Sequence, residues 1–403
     1  MLFFMIFITI MRNGHFFVLF TLVLFSSCSY HKNEGSSVEE LSLSMNNVLE
    51  SVKLSDIASS VKCISLETND SLLIGDIVKV VQTEEFIYVA DRNALFKFDN
   101  NGTVVTSLRK SGPGSDEYTN ISDFQVASDG TIWLLSRNDR ALYQYGENNI
   151  MKEKVKFDCW VSNICLISPN KMLLYVGNEV DGGYGKQVLQ LDLMTKETSD
   201  GYLSIDEKKA KFLHIHSENY FSGGSQSFNR YFFQIFNDTV YEVSSDGALS
   251  SSFYVNIANR NIPASFFDTE YANVMDFFQN LSKNSYAYGT KLFAEYEDFY
   301  LFSFYQLGES YLSMLPKDKE KSECTFKNIK EDTNLLGYTF NFNDLNFYIQ
   351  ENNNLIIPLM NQDVLKYVED KYGENEVVKL KERFNIVSED QNPILLCVEL
   401  KPL

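Results

Sequence analysis

The sequence predicts an all-β fold of the β-propeller type. Three observations support this prediction: short runs of β-branched and aromatic residues, turn signals rich in Asn, Asp and Gly between the runs, and the recurrence of the runs as a unit. Runs of four to six such residues bounded by turn residues are typical of antiparallel hairpins. Aromatic residues make up 14% of the chain, which suits strands that pack face to face in twisted sheets.

The recurring unit has three strands. In its first cycle, residues 86–89 are followed by a strand that ends in Phe98-Asp99, then by an Asn-Gly turn and residues 104–108. Corresponding strands of successive cycles lie roughly 40–60 residues apart, near the period of propeller blades. A β-sandwich with an accessory domain is the alternative architecture. The other three cycles are residues 132–135, 142–145 and 150–155, residues 172–176, 188–192 and 198–203, and residues 231–236, 240–243 and 249–255.

Two later segments, residues 265–283 and 362–384, carry apolar residues at helical rather than strand spacing. A stripe of apolar residues three to four positions apart indicates one buried face of a helix. We expect both segments to be small helical inserts that decorate the late blades, not a separate domain.

The N-terminal region carries a secretory signal. A segment with Arg12 precedes an apolar core, residues 16–25, and two serines then lead to Cys28. A charged start, a short apolar core and a small-residue cleavage site form a signal peptide, and the cysteine makes it resemble a bacterial lipoprotein signal, in which the thiol is lipidated. The core of about ten residues is shorter than the roughly twenty that span a membrane. An ordinary secreted protein with an incidental cysteine is the alternative.

This N-terminal pattern predicts the domain organisation and the localisation. Residues 1–27 are a lipoprotein signal peptide, residues 28–51 a flexible tether, and residues 52–403 the propeller. The start codon is Met1 or Met11. The protein is expected to be an outer-membrane lipoprotein that faces the periplasm or the cell surface, held to the membrane through its lipid anchor only.

The charge balance excludes one class of partner. The net charge is −19 at pH 7, and the acidic residues are spread along the chain. Nucleic-acid binding requires basic patches that neutralise phosphates, so no nucleic acid is expected as a partner. The acidity is typical of a soluble surface.

The cysteines predict no disulfide framework and no zinc ribbon. Five cysteines remain after Cys28, which is an odd number, and no CxxC pair occurs. Buried free thiols are expected. Cys63 and Cys397 are the one pair that we consider for oxidation, if the termini of the fold meet.

Three stretches of the sequence are similar to motifs of one known family. They are residues 64–68 with 71–75, which resemble an opening "LET…sLIG" strand, residues 111–118, which resemble a "GxGPGEY" loop, and residues 390–395, which resemble a closing "DNPvL" strand. The chain departs from the pattern at Ser115 and Asp116, which precede Glu117, and at Gln391.

By these motifs the chain resembles the bacterial six-bladed β-propeller lipoproteins, an NHL-repeat-like family found on cell envelopes. The resemblance spans about residues 60–400. It implies six blades, and it implies that the strand near Ile64 completes the last blade beside residues 394–399. A propeller closed in this way leaves only short, protected strand edges.

The loop between the first two predicted blades is the best binding candidate. It contains Arg109, Lys110, Glu117 and Tyr118 around a Gly-Pro-Gly turn, and loops on a rigid scaffold are where function concentrates. The alternative, which we favour, is that Glu117 and Tyr118 only lock one blade to the next. Trp133 and Trp160 are expected in the core, since both follow strand patterns.

The only histidine pair of the predicted propeller is His214 and His216. Alternation on a strand places both imidazoles on one face, as a metal pair requires. Enzymes similar to the NHL-type lyases hold a metal with several histidines from different blades, and a third histidine is absent from residues 52–403. We therefore expect a solvated or hydrogen-bonded pair, no metal and no cofactor, with His214 and His216 kept as weak metal candidates.

The predicted function is that of a lipid-anchored cell-envelope β-propeller that binds a glycan, a peptide or an envelope protein and performs no catalysis. One alternative is a metal-dependent lyase or hydrolase acting in the propeller channel. Another is a scaffold subunit of an outer-membrane uptake complex. No catalytic residue is identified.

Overall fold

The computed structural model describes residues 38–69, 71–178, 184–210, 212, 221–222, 230–288, 292–341, 348–350 and 354–401. These residues form an all-β, propeller-like fold with few helices, and their strands fall into six sheets. The predicted signal peptide, Cys28, His214 and His216 lie outside the described residues. Among the residues that are described, no helix is long and apolar enough to cross a membrane.

The first three strands of the described residues join sheets formed much later in the sequence. They are β1 (Glu39–Leu43), β2 (Val48–Lys53) and, after the short helix α1 (Leu54–Ile57), β3 (Ala58–Ser65).

Three sheets then follow as four-stranded antiparallel meanders, in which consecutive strands are neighbours. Sheet 1 contains β4 (Ile77–Gln82), β5 (Phe86–Asp91), β6 (Leu95–Asp99) and β7 (Val104–Leu108). Sheet 2 contains β8 (Asp123–Val126), β9 (Ile132–Ser136), β10 (Ala141–Tyr145) and β11 (Met151–Lys156). Sheet 3 contains β12 (Asn163–Ser168), β13 (Lys171–Tyr175), β14 (Lys186–Asp192) and β15 (Thr198–Ser204), and the helix α2 (Glu207–Ala210) comes after it.

The remaining three sheets each include one of the N-terminal strands. Sheet 4 joins β1 to β16 (Phe221–Ser222), β17 (Arg230–Phe232), β18 (Thr239–Val243) and β19 (Leu249–Ile257). Sheet 5 joins β2 to β20 (Ala287–Tyr288), β21 (Phe293–Glu295), β22 (Phe299–Gln306), β23 (Glu309–Pro316), β24 (Cys324–Lys330) and β25 (Thr339–Asn341). Sheet 6 joins β3 to β26 (Tyr348–Ile349), β27 (Asn354–Leu359) and β28 (Ile394–Leu400).

The two predicted helical inserts are confirmed. The first consists of a 3₁₀ turn, Ala264–Asp268, and the helix α3 (Val274–Lys283), whose N-cap Asn273 accepts a hydrogen bond from the backbone N–H of Asp276 at 2.9 Å. The second consists of α4 (Asn361–Tyr372) and α5 (Glu374–Phe384), which lie between β27 and β28. Both are insertions between strands and form no separate domain.

The predicted tether extends too far along the chain. Residues 39–51 were assigned to it, but β1 pairs in parallel with β19, and β2 pairs in parallel with β24. The physical reason is alternation. Leu41 and Leu43 are each 3% exposed, whereas Glu40 and Ser42, which alternate with them, face solvent, so this segment buries one side of a strand.

The pairing predicted at the end of the chain is confirmed. β28 pairs with β3 in antiparallel register, with Leu395 opposite Ile64. The N-terminal part of the chain therefore supplies a strand of the last sheet, which joins the two ends of the fold.

Hydrophobic cores lie between successive sheets. Each core contains buried side chains from two neighbouring sheets, and one core joins sheet 6 to sheet 1. Representative pairs are Tyr88 with Tyr143 between sheets 1 and 2, Trp133 with Met172 between sheets 2 and 3, Tyr175 with Phe232 between sheets 3 and 4, Phe253 with Phe302 between sheets 4 and 5, Leu312 with Ile357 between sheets 5 and 6, and Leu395 with Phe96 between sheets 6 and 1.

The number of blades stays a prediction. Sheets 1 to 3 have four strands of four or more residues, but sheets 4, 5 and 6 contain edge strands of two or three residues among the described ones. Since a propeller blade is recognised by its four strands, these short strands do not define six blades by themselves.

The cysteine pair considered for oxidation does not form. Cys63 lies opposite Leu396, and Cys397 lies opposite Lys62. Residues opposite each other share a face of the sheet and successive residues alternate, so the two thiols point to opposite faces. None of the five cysteines among the described residues forms a disulfide.

Candidate functional site

The connections between strands are distributed unequally over the two ends of the sheets. In an antiparallel meander, alternate connections lie at the same end. We call "upper face" the end that carries the β5–β6, β9–β10 and β13–β14 connections. The segments that lead from one sheet to the next lie there too, because the backbone N–H of Ile121, just before β8, donates to the Arg92 carbonyl in the β5–β6 connection at 2.8 Å.

The long connections lie at the upper face. They are residues 66–76, 109–122, 258–286 and 360–393, each longer than any connection of the opposite end among the described residues. The opposite end, which we call the lower face, carries short turns among the described residues: 83–85, 100–103, 127–131, 146–150, 169–170, 193–197, 244–248 and 317–323.

The predicted binding loop is part of this upper face and is folded on itself. The carboxylate of Glu117 accepts a hydrogen bond from the backbone N–H of Gly114 at 2.8 Å. A Cβ at Gly112 would lie 2.1 Å from the Glu117 carboxylate oxygen, so a larger residue at position 112 would displace the Glu117 side chain from its present place. The two extra residues, Ser115 and Asp116, form the exposed tip of the loop.

Tyr118 is fully buried between sheets 1 and 2. Its hydroxyl lies 3.0 Å from both the Asn93 and the Leu108 carbonyl oxygens, and burial raises its pKa to about 12. Its ring also meets Tyr143 edge to face. In this position Tyr118 links one sheet to the next, so its side chain has no surface on which a partner can bind.

The two cations of the loop also contact aromatic rings. Arg109 is exposed and its guanidinium lies 4.9 Å from the centre of the Phe96 ring. Lys110 is half-buried, with its ammonium 5.6 Å from the Tyr145 ring. These cation–π contacts hold both side chains against the upper face, where their charges remain available to a ligand.

The prediction for the two tryptophans is correct for one of them. Trp133 on β9 is 4% exposed and belongs to the core between sheets 2 and 3. Trp160 lies in the connection between β11 and β12, half-buried, with the Arg140 guanidinium 4.4 Å from its ring. A strand pattern does not reveal that this indole lies in a connection, against an arginine of the neighbouring β9–β10 turn.

A polar cavity that sequence reasoning did not find lies at the upper ends of sheets 3 and 4. Its volume is about 240 Å³. The residues around it come from the β13–β14 and β17–β18 connections, from the strands β14, β15 and β18, and from the segment after β15: Asn178, Gln187, Leu203, Ser204, Asp206, Lys209, Gln234, Ile235, Phe236, Asn237 and Tyr241.

A chain of buried hydrogen bonds forms one side of this cavity. The Tyr175 hydroxyl donates to Gln234 Oε1 at 3.1 Å, Gln234 Nε2 donates to Gln187 Oε1 at 2.7 Å, and Gln187 Nε2 donates to Asn178 Oδ1 at 2.6 Å. Asn178 Oδ1 also accepts from the backbone N–H of Asp206 at 3.1 Å. These bonds fix the orientation of each amide and leave Asn178 Nδ2 as a buried donor without a partner.

A larger groove of about 600 Å³ lies between sheets 4 and 5, beside the β1–β2 connection. Its lysine, Lys327, forms ion pairs with Glu309 at 2.5 Å and with Glu50 at 3.3 Å. Because this charge is already paired, the groove offers weaker recognition chemistry than the cavity of sheets 3 and 4.

The first strands of neighbouring sheets contact each other: β26 with β4, β4 with β8, β8 with β12, and β12 with β16. Polar side chains bridge them. Lys79 on β4 pairs with the buried carboxylate of Asp123 on β8 at 2.8 Å, and Asp123 accepts from the Ile164 N–H on β12 at 2.8 Å. Among the described residues, no group of three or more His, Cys, Asp or Glu side chains is arranged to hold a metal ion.

The sequence of this fold matches one family model over nearly its whole length. The model is that of the domain of unknown function DUF4934, and it matches residues 39–399. The chain belongs to the DUF4934 family. Among curated proteins, none has a sequence that matches this chain.

Several solved structures align with this DUF4934 chain. A crystal structure from Bacteroides fragilis that bears the name "Putative exported protein" aligns with a TM-score of 0.65 at 18% identity, over 91% of this chain and 100% of that one. A DUF4221 family member from Bacteroides vulgatus gives 0.46 at 11% identity, over 86% and 98%. Virginiamycin B lyase from Staphylococcus aureus gives 0.40 at 10% identity, over 74% and 81%. Only the first similarity is strong enough to support a shared fold.

Proposed function

We propose that this DUF4934 protein is exported, anchored to the cell envelope by a lipid on Cys28, and binds an envelope glycan, peptide or protein through its upper face without catalysing a reaction. The observation that carries the proposal is the unequal distribution of connections between the two faces. Long connections within a compact domain are uncommon unless they serve a function, and here they gather at one end of a rigid scaffold.

The state of the loops supports binding by a preformed surface. Glu117 is held by the backbone of its own loop, and Arg109 and Lys110 are held by aromatic rings. Side chains that are already ordered lose little conformational entropy when a partner binds. The exposed loop tip around Ser115 and the exposed Arg140 then provide contacts on the same face.

The proposal also includes six blades. Six sheets and a core between each neighbouring pair, including sheet 6 with sheet 1, support a closed ring. The Asp390–Gln391–Asn392 segment stands at the proposed closure, so replacement of Asn392 tests the ring as well as the stability of the fold.

Site-specific photo-cross-linking in intact cells tests the binding face. A benzophenone amino acid replaces Ser115 on the upper face in one variant and Asn101 on the lower face in the matched control. Both positions are exposed, and they lie in the connections that precede and follow β7. We expect cross-linked products from position 115 and none from position 101. Equal products from both positions, or none from either, would contradict binding through the upper face.

The anchor is tested in the same cells. Cys28→Ser removes the thiol that would carry the lipid, so the variant is expected to leave the membrane fraction, while the wild type stays in it and incorporates labelled fatty acid. A Cys28→Ser variant that stays in the membrane fraction would refute the anchor and leave the binding face untouched.

A further inference from the structure

The cavity of sheets 3 and 4 is built for a ligand that both donates and accepts hydrogen bonds. Three buried amides line it, those of Asn178, Gln187 and Gln234, and their hydrogen bonds to one another leave Asn178 Nδ2 as a donor for a ligand. The hydroxyls of Ser204 and Tyr241, which also line the cavity, can each donate and accept a hydrogen bond.

One donor of this cavity lacks a partner. Asn178 is 4% exposed, its Oδ1 accepts two hydrogen bonds, and its Nδ2 makes none. A buried N–H left unsatisfied is energetically costly, so a ligand oxygen that accepts from Nδ2 would recover that free energy. The Gln187–Gln234 chain keeps the amide from turning to find another acceptor.

The charges of the cavity cancel. Lys209 lies 3.8 Å from the Asp206 carboxylate and donates to the Phe236 carbonyl at 2.8 Å. The lysine is therefore neutralised and fixed, and the chain as a whole carries a charge of −19, which disfavours anionic ligands. A neutral ligand fits these groups better than an acid or an amine.

The volume and the apolar side of the cavity restrict the class of ligand further. The volume of about 240 Å³ is below the roughly 300–1,000 Å³ of pockets for drug-sized molecules, which suits a single small ring. Half-buried Tyr241 and buried Phe236 give the cavity an apolar side next to its amides. A sugar ring combines hydroxyls at its edge with C–H groups on its faces, and such faces pack well on aromatic surfaces.

From these observations we infer that the cavity formed by Asn178, Gln187, Gln234 and Tyr241 binds one neutral sugar unit of a glycan, with Asn178 Nδ2 donating to a ligand oxygen. The inference rests on the proposed function, since it names the ligand class of the same upper face. A peptide carbonyl also accepts hydrogen bonds, but an isolated peptide group brings a single acceptor and donor and does not match the amides and hydroxyls together.

Isothermal titration of the purified full chain tests the inference. The probes are the methyl glycosides of glucose, galactose and mannose, N-acetylglucosamine, the anionic sugar glucuronate, and N-acetylalanine methylamide as a peptide probe. We expect at least one neutral sugar to bind and the other two classes to show no binding. Binding of the peptide probe or of glucuronate in preference to every neutral sugar, or no binding by any probe, would overturn the inference.

Three variants locate the binding. Asn178→Asp keeps the acceptor for Gln187 and Asp206 but replaces the unpartnered donor, so affinity is expected to fall at least tenfold. Ser204→Tyr places a ring at the exposed rim without touching the amide chain and is expected to abolish binding. Ser199→Tyr, at an exposed position of the same strand, is the matched control and keeps the wild-type affinity.

If Asn178→Asp does not fold, Ser204→Tyr still tests the cavity, because a substitution at the exposed Ser204 leaves the buried core unchanged. Unchanged affinity in Ser204→Tyr would refute the cavity as the site. Cross-linking from position 115 reports on the binding face independently. A chain that cross-links there and binds no sugar would overturn the saccharide inference alone.

Discussion

Replacement of Asn392 probes how the two ends of the fold are held together. The side chain is 2% exposed and connects the segment before β28 with residues that follow β3. Its Oδ1 accepts from the Ile74 N–H at 2.8 Å, and its Nδ2 donates to the carbonyls of Glu67 at 2.8 Å and Leu72 at 2.5 Å. All three partners are backbone groups far away in sequence.

The expected cost of Asn392→Ala follows from these bonds. Each hydrogen bond contributes roughly 1 kcal/mol net, and a buried partner left unsatisfied costs somewhat more. Three lost bonds therefore predict a decrease of about 3 kcal/mol in the free energy of unfolding. Asn392→Asp is expected to be at least as damaging at neutral pH, because it places a carboxylate oxygen against two carbonyl oxygens.

Urea denaturation followed by tryptophan fluorescence measures the effect. Trp133 and Trp160 are the only tryptophans and lie in or beside sheet 2, so their signal reports unfolding at a distance from the substitution. Asn138→Ala, on the exposed tip of the β9–β10 turn, is the control and is expected to change the free energy by less than about 0.5 kcal/mol.

Hydrogen exchange shows whether the closure itself is loosened. We expect the amides of β3 and β28 to exchange faster in Asn392→Ala, while those of β10 keep their protection. A loss below about 1 kcal/mol, with unchanged exchange in β3 and β28, would refute both the proposed ring closure and the hydrogen-bond argument.

Two further predictions concern titrating groups. Burial raises the pKa of Cys63 to about 12 and that of Cys397 to about 11, so both stay protonated and resist iodoacetamide at pH 8; a cross-linked peptide between them in oxidised protein would contradict their placement on opposite faces. Asp129 lies in the lower-face turn of residues 127–131, and the backbone N–H of Thr131 donates a hydrogen bond to its carboxylate. This hydrogen bond is the main cause that lowers the pKa of Asp129. Its contribution to stability is therefore complete above about pH 4 and is lost as pH falls through the folded-state pKa. Asn cannot titrate, so Asp129→Asn should reduce the difference between urea midpoints at pH 7 and pH 3; an unchanged difference would refute this assignment.

The strand content of the fold was predictable because hairpins are local. Residues 86–89, 132–135 and 172–176 lie in or overlap β5, β9 and β13, as their alternation and turn residues indicate. The first strands of sheets 1 and 2 are not part of the predicted repeat. Lys79 on β4 pairs with Asp123 on β8, so polar residues interrupt in both strands the apolar pattern that marks a strand.

The site was less predictable than the fold. The predicted loop does lie on the upper face, but its Tyr118 is a core residue, which the residue type alone does not indicate. The amide cavity gave no signal in the sequence, since Asn178, Gln187 and Gln234 resemble ordinary surface residues until three separate segments bring them together.

The sequence by itself determined the class of the fold, the turn positions and the meeting of residues near Ile64 with those near Ile394. These features depend on local alternation, on turn chemistry and on recognisable motifs. Only the tertiary structure decided that β1 and β2 extend sheets 4 and 5, that long connections gather at one face, and that buried amides form a chain with one free donor. These features depend on contacts between residues far apart in the chain, whose free energy no local pattern records.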